Sequence, residues 1–156
     1  MKLLHISKTD VGLVRPANED SIGSIIDNNG IYSNIYIVCD GMGGHVGGSR
    51  ASQTAIRSIL EYFNNTPSPN PNIALKDAID FANMQIFGDA QANTEFKGMG
   101  TTVTLMVESD SLIYIAHVGD SRIYINTDKE LFRITKDHSF VQNLVDAGQL
   151  TDAEME

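Results

Sequence analysis

The sequence of 156 residues lacks several features that define other classes of protein. It contains no tryptophan and a single cysteine, Cys39, which has no partner for an internal disulfide, so nothing indicates an oxidising compartment. No run of about 18 apolar residues is present, which excludes the pattern of a membrane-spanning helix. The first residues, with His5 and Lys8, do not show the apolar stretch of a secretory signal. We therefore expect a cytoplasmic protein without membrane contact.

Basic residues are also scarce. Eleven lysines and arginines stand against twenty aspartates and glutamates, which gives a formal net charge of −9. Proteins that bind nucleic acid or anionic membranes need a basic surface, so this balance excludes both kinds of partner and favours a chain that gathers cations. The length and an apolar fraction of 42% are those of one globular domain.

The apolar pattern predicts an α+β chain. Two amphipathic helices, over residues 49–63 and 73–92, are separated by a segment in which Pro67, Pro69 and Pro71 interrupt helical structure. Turn residues separate the later strands, which is typical of antiparallel pairing. The order predicts stacked antiparallel sheets flanked by helices, with a last helix over residues 140–147. Strands are predicted at 2–8, 21–27, 35–39 (buried on both faces), 102–107, 112–117, 122–125 and 131–134.

Acidic residues stand at the ends of several predicted strands. Glu19 and Asp20 precede one strand, Asp40 directly follows the buried strand at 35–39, and Asp120 lies in a turn. Strand ends are held by a rigid sheet, so such carboxylates can converge, and oxygen ligands select hard cations such as Mg²⁺ or Mn²⁺. The alternative is that these residues only favour turns.

A cluster of glycines follows Asp40, from Gly41 to Gly48. It matches neither nucleotide-binding motif: Val46 replaces the last glycine of a dinucleotide fingerprint, and Ser49 and Arg50 stand where a phosphate-binding loop needs Lys and Ser or Thr. Glycine lets the backbone approach a ligand closely, so a carbonyl here is a candidate metal ligand. A tight turn without any ligand is the alternative.

Two further side chains are candidates for handling a phosphate or a proton. Arg15 can bind an anion with two parallel hydrogen bonds, or it can form a surface ion pair with Glu19 or Asp20. His45 can act as a proton donor, or it can be a loop histidine without function. The residues alone leave both alternatives open.

Five short motifs follow one another along the chain: Arg15-x-x-Asn18-Glu19-Asp20, Val38-Cys39-Asp40-Gly41-Met42-Gly43-Gly44-His45, Gly98-Met99-Gly100-Thr101-Thr102, His117-Val118-Gly119-Asp120-Ser121-Arg122 and Thr135-Lys136-Asp137-His138-Ser139. The series resembles the metal-dependent Ser/Thr protein phosphatases of type 2C, in their bacterial form. The resemblance spans residues 8 to about 150 and implies a four-layer α-β-β-α sandwich. It also implies hydrolysis of phosphoserine and phosphothreonine in proteins by a metal-activated water molecule.

The resemblance implies roles for individual residues. Asp20 and Asp40 match ligands of two Mn²⁺ or Mg²⁺ ions, and the Gly41 carbonyl matches a further ligand. Asp120 matches a ligand of a third, weaker metal site, and Glu19 matches a residue that holds a metal-bound water.

The same resemblance gives the remaining two candidates their roles. Arg15 matches the arginine that binds the substrate phosphate, and His45 matches a proposed general acid that is not found at this spacing in every branch.

The resemblance also implies that residues 1–156 are the N-terminal part of a single catalytic domain. Members of the family continue beyond the equivalent of residue 150 with more strands and two further metal-binding aspartates. We therefore expect an incomplete metal site with weak or no activity, and a dimer formed through exposed sheet edges. A non-catalytic module that binds phosphoproteins is the alternative function.

Overall fold

An antiparallel sheet forms the centre of the structure, a computed structural model that describes residues 4–27, 30–65, 67–151 and 154. Its main path runs β1 (Asp20–Ile25), β2 (Asn34–Met42), β4 (Val103–Ser109) and β5 (Leu112–Val118). The short strand β3 (Gly100–Thr101) pairs with the end of β2. A separate hairpin joins β6 (Tyr124–Asn126) to β7 (Leu131–Arg133).

Helices α1 (Gly44–Asn64) and α2 (Pro71–Ala92) pack against one face of this sheet, and a short α3 (Phe140–Asp146) follows the hairpin. Their small residues allow close contact with the strands, since Ala51, Ala55 and Ala78 are fully buried. A 3₁₀ turn (Thr94–Phe96) leads from α2 back to the sheet. Within the described part of the chain, no helix has the length and apolarity needed to cross a bilayer.

The sequence predicted the type and order of most elements. Helix α2 starts at Pro71 because the side-chain oxygen of Asn70 accepts the backbone N–H of Asn72 at 3.0 Å, and proline fits the first helical position. Helix α1 starts five residues earlier than predicted, at Gly44. The glycines that disfavour a helix by propensity are included here because the backbone of Gly48 packs directly on that of Gly41.

Two predictions about strands were wrong. Residues 4–8 form no strand; instead this segment lies beside the sheet, with the His5 ring 4.8 Å from that of Tyr36. Residues 2 and 3 of the predicted strand lie outside the described residues. Strand β2 is buried on one face only, because Ile35 and Ile37 contact the helices whereas Val38 is 44% exposed.

We call the sheet surface opposite α1 and α2 the outer face. Together with residues 4–8 it borders an apolar cavity of about 470 Å³. The sheet residues that line this cavity include Ile22, Tyr36, Val38, Met106 and Ile113. Asp20 and Asp40 lie on the same outer face, because they are two residues from Ile22 and Val38 in their strands and side chains two apart share a face. They stand at the end of the sheet where the candidate site is found.

Candidate functional site

Strands β1 and β2 bring two of the candidate carboxylates together. Asp20 and Asp40 are directly opposite each other in the antiparallel register, so their side chains leave the same face of the sheet. The sequence had suggested that Asp40 follows the strand, but in the structure it lies inside β2. Pairing within the ladder therefore fixes the spacing of these two side chains more firmly than a loop would.

These carboxylates line a small cavity with three other candidates. The cavity has a volume of about 230 Å³, and Arg15, Glu19 and the Gly41 backbone lie on its wall. Its other lining residues are Asp10, Val11, Ala17 and Asn18. The structure thus gathers five of the seven candidate residues around one space.

The cavity concentrates negative charge. Partial burial raises the pKa of Asp40, and the neighbouring carboxylates of Asp20, Asp120 and Glu19 raise it further. Asp120 is therefore close enough to act on Asp40, although it does not line the cavity. Repulsion of this kind is relieved when a cation binds among the carboxylates.

Glu19 is held with its carboxylate turned inward. Its backbone carbonyl accepts the Ser52 hydroxyl of α1 at 2.6 Å, and Ser52 is fully buried. One carboxylate oxygen, Oε1, is buried and has no hydrogen-bond partner among the described residues. A buried carboxylate oxygen without a partner is costly in free energy, so this position favours a ligand such as a water molecule or an ion.

Close backbone packing at Gly41 holds the site together. A Cβ atom on Gly41 would lie 2.1 Å from the Gly48 carbonyl oxygen and 2.6 Å from the Glu19 carbonyl oxygen. Only glycine allows the end of β2, the start of β1 and helix α1 to meet at this distance. This contact is the physical reason for a glycine immediately after Asp40.

Arg15 is exposed on the cavity wall and forms no ion pair with Glu19, Asp20 or any other carboxylate in the described part of the chain. The alternative of a surface ion pair with Glu19 or Asp20 is therefore not found among the described residues, and the guanidinium is available to bind an anion. His45 lies in the first turn of α1, and its side chain is outside the described residues.

The two threonines that end the third motif, Thr101 and Thr102, hold Asp40 in place. The Asp40 N–H donates to Thr102 Oγ1 at 3.0 Å, and the Thr101 hydroxyl donates to the Asp40 carbonyl at 2.9 Å. Thr102 also shares a hydrogen bond of 2.7 Å with the Ser121 hydroxyl. The Gly-Thr-Thr pattern drew attention to this position, but the link to Ser121 depends on a contact that spacing does not reveal.

Asn18 is a second residue whose role appears only in the structure. Its side-chain oxygen accepts the Asp20 N–H at 3.0 Å, and its side-chain amide donates to the Thr9 hydroxyl at 2.7 Å. Such a short-range turn fixes the chain just before β1 begins.

The last motif of the series has a structural role. Asp137 is 6% exposed and accepts hydrogen bonds from two nitrogens of Arg122, Nη2 at 2.6 Å and Nε at 3.1 Å and 3.2 Å. This pairing holds the pKa of Asp137 below its usual range. Ser139 caps α3 by accepting the Gln142 N–H at 3.2 Å.

The chemistry of the donors fits a hard divalent cation. The cavity offers carboxylate and backbone oxygens, which Mg²⁺ and Mn²⁺ prefer, and no sulfur ligand. Cys39 is fully buried on the other face of β2, and burial raises the pKa of its thiol to about 12, which excludes a thiolate nucleophile at neutral pH. Among the residues that the structure describes, no three His, Cys, Asp or Glu side chains are gathered as one metal site, so the fit rests on the Asp20–Asp40 pair with oxygens around it.

Residues 15–153 match the family Protein phosphatase 2C. The chain belongs to this family. The match includes every candidate site residue, and it confirms the resemblance of the five motifs to the metal-dependent Ser/Thr phosphatases.

Relatives in bacteria agree with this assignment. The chain is 36% identical over 152 residues to the serine/threonine protein phosphatase PstP of Mycobacterium tuberculosis. The aligned region covers 97% of this chain and 28% of PstP. The crystal structure of the phosphatase Stp1 from Staphylococcus aureus superposes with a TM-score of 0.84 at 35% identity, over 99% of this chain and 63% of Stp1. The catalytic domain of PstP in complex with two manganese ions gives a TM-score of 0.81 at 36% identity, over 94% of this chain and 61% of the PstP chain.

These likenesses confirm the predicted fold, an α+β sandwich of antiparallel sheets flanked by helices. The chain spans between 28% and 60% of the length of the first curated relatives that it matches.

Proposed function

We propose that the chain contributes the N-terminal half of the active site of a metal-dependent protein Ser/Thr phosphatase. The observation that carries this proposal is the pairing of Asp20 with Asp40 across two strands, in one cavity with Arg15, which forms no ion pair among the described residues. Membership of the protein phosphatase 2C family gives the arrangement its chemistry. A manganese complex of the related PstP supports the choice of cation, with Mg²⁺ as the second possibility.

The side chains divide the work between metal and substrate. Asp20, Asp40 and the Gly41 carbonyl would hold two divalent cations, and Asp120 would serve a third, weaker site. Glu19, which lines the cavity, would accept a hydrogen bond from a water molecule there. Bound cations supply the acidity that turns a water molecule into a nucleophile at neutral pH.

Arg15 would bind the phosphate of the substrate. Its guanidinium can donate two parallel hydrogen bonds to phosphate oxygens and offset the charge that they carry during hydrolysis. His45 remains a proposed proton donor on the strength of the resemblance alone. The substrates that this site suits are phosphoserine and phosphothreonine in proteins.

We propose that residues 1–156 form the N-terminal part of a single catalytic domain, located in the cytoplasm. The metal site of this part alone is incomplete on this view, so its activity is weak or absent. A domain without turnover would still present Arg15 and the carboxylates as a binding surface for a phosphoprotein.

Hydrolysis assays test the proposed function. We expect a version extended by the downstream coding sequence to hydrolyse p-nitrophenyl phosphate and phosphothreonine peptides with Mn²⁺, and to lose this activity in EDTA. The 156-residue chain should show far less turnover under the same conditions. Inactivity of both versions with Mn²⁺ and with Mg²⁺ would contradict the proposal and favour the non-catalytic binding module.

Replacing Arg15 in the longer version should lower its catalytic efficiency on phosphorylated substrates. We expect Arg15→Ala to lower kcat/KM for a phosphopeptide by about 100-fold, because the bidentate, charge-assisted hydrogen bonds to the phosphate are lost. Arg57→Ala, at an exposed arginine in the middle of α1, is the matched control and should leave kcat/KM unchanged. Equal rates for Arg15→Ala and the control would remove Arg15 from the site.

The outer face favours association between copies of this chain. Leu4 and Ile6 are 91% and 85% exposed beside the apolar cavity of that face. Among the residues that the structure describes, no strand pairs with the outer edge of β5. We expect light scattering to detect a dimer that Ile6→Asp weakens. A monomer at high protein concentration would contradict this expectation.

A further inference from the structure

Thr102 connects two parts of the site that are far apart in the sequence. It lies between β3 and β4, beside the end of β2 that carries Asp40. Thr102 bonds to the backbone of Asp40 twice: the Thr102 N–H donates to the Asp40 carbonyl at 2.9 Å, and the Asp40 N–H donates to Thr102 Oγ1 at 3.0 Å. The second bond is made by a side chain where a regular ladder would use a carbonyl.

The same hydroxyl reaches the turn that carries Asp120. Thr102 Oγ1 lies 2.7 Å from Ser121 Oγ. A hydroxyl has one hydrogen and two lone pairs, so Thr102 can accept from Asp40 and donate to Ser121 at the same time. One oxygen atom therefore joins the backbone of Asp40 to the residue that follows Asp120.

The methyl group of Thr102 supports the turn from a second side. Gly119 has φ of +107°, and a Cβ at this position would lie 2.6 Å from Thr102 Cγ2. The turn thus packs on the methyl group while its serine bonds to the hydroxyl. Serine keeps only the hydroxyl of this arrangement and valine keeps only the branched shape, so threonine alone supplies both contacts.

We propose that Thr102 is a positioning residue for the metal centre: it fixes the main chain of Asp40 and the turn of Asp120 relative to each other, and so sets the affinity for a divalent cation. The inference rests on the proposed function, in which Asp40 and Asp120 hold cations. Neither aspartate can take up its geometry independently of the other while this link is present.

Mn²⁺ titration by calorimetry, on the chain as it stands, tests the inference. We expect Thr102→Val to weaken Mn²⁺ binding about 10-fold or more, in the range found for residues that orient metal ligands, and Thr102→Ser to restore most of the affinity. Thr104→Val is the matched control: Thr104 is a buried threonine of β4, opposite Val38, whose hydroxyl bonds to His117 Nδ1 at 3.2 Å. It should lose stability without any change in affinity for Mn²⁺.

A double variant tests whether the link through Ser121 is real. We expect Ser121→Ala to weaken Mn²⁺ binding by itself and to add little to Thr102→Val, because both changes break one connection. Amide hydrogen exchange at Asp40, measured without metal, should be faster in Thr102→Val and unchanged in Thr104→Val. This readout does not depend on metal binding.

The outcomes separate the inference from the proposed function. If the unaltered chain binds Mn²⁺ and Thr102→Val binds it equally well, the inference is wrong and the proposed function stands. If the unaltered chain binds no Mn²⁺, as an incomplete site allows, amide exchange decides the inference: faster exchange at Asp40 in Thr102→Val supports it, and unchanged exchange overturns it.

Discussion

Asp40→Asn should abolish the response of the chain to Mn²⁺. The substitution removes one of the two carboxylates that face each other across β1 and β2, and we expect at least about 100-fold weaker Mn²⁺ binding because the charge of the ligand set falls. The fold should persist, since the hydrogen bonds of Asp40 with Thr101 and Thr102 are made by its backbone. Calorimetric titration with Mn²⁺ measures the effect.

The same substitution should raise the stability of the chain in EDTA. The raised pKa of Asp40 means that its ionised form is less favourable in the folded state than in the unfolded state, so this carboxylate lowers stability as pH rises through its titration. Asparagine removes that cost. Asp128→Asn, in the exposed turn between β6 and β7, is a matched control and should change neither Mn²⁺ binding nor stability. Full Mn²⁺ binding by Asp40→Asn would remove Asp40 from the metal site.

Gly41→Ala should be among the most destabilising single changes in the chain. The new Cβ would meet the carbonyl oxygens of Gly48 and Glu19, at 2.1 Å and 2.6 Å, and backbone atoms cannot rotate away as a side chain can. Relief requires a shift of α1 away from the sheet, for which we expect a loss of about 3 kcal/mol or more in the free energy of unfolding. Urea denaturation followed by circular dichroism measures this loss.

Gly88→Ala provides the comparison for that experiment. Gly88 is inside α2, and a Cβ there has no heavy atom within 4 Å, so alanine should stabilise the helix by about 0.5–1 kcal/mol. The two substitutions make the same chemical change with opposite expected signs. A Gly41→Ala chain as stable as the unaltered one would mean that β2 and α1 do not pack as closely as the structure shows.

The sequence predicted the helices well because their apolar positions repeat with helical spacing and their ends carry recognisable residues. The start of α2 is an exception: the sequence placed it at residue 73 and assigned Pro71 to the break, whereas Asn70 caps the helix and Pro71 occupies its first position. The start of α1 was missed because its glycines are poor helix formers, and only their contact with Gly41 explains the helix there. Tertiary packing overrides local propensity at this point.

The candidate site was predicted in its residues but not in its connections. Motif order pointed to Asp20 and Asp40, and the register of two strands then placed them opposite each other. Nothing in the spacing reveals that Thr102 bonds to both Asp40 and Ser121, because that contact joins residues 62 and 19 positions apart. The strand expected at residues 2–8 depends on a pairing partner, and residues 4–8 have none in the described structure.

A crystal of the chain grown with Mn²⁺, with anomalous scattering recorded at the manganese absorption edge, tests the central claim most directly. That claim is that the facing carboxylates of Asp20 and Asp40 bind a divalent cation. The account predicts an anomalous peak between these two carboxylates, within coordinating distance of an oxygen of each. Manganese bound only at other surface carboxylates, with none between Asp20 and Asp40, would contradict it.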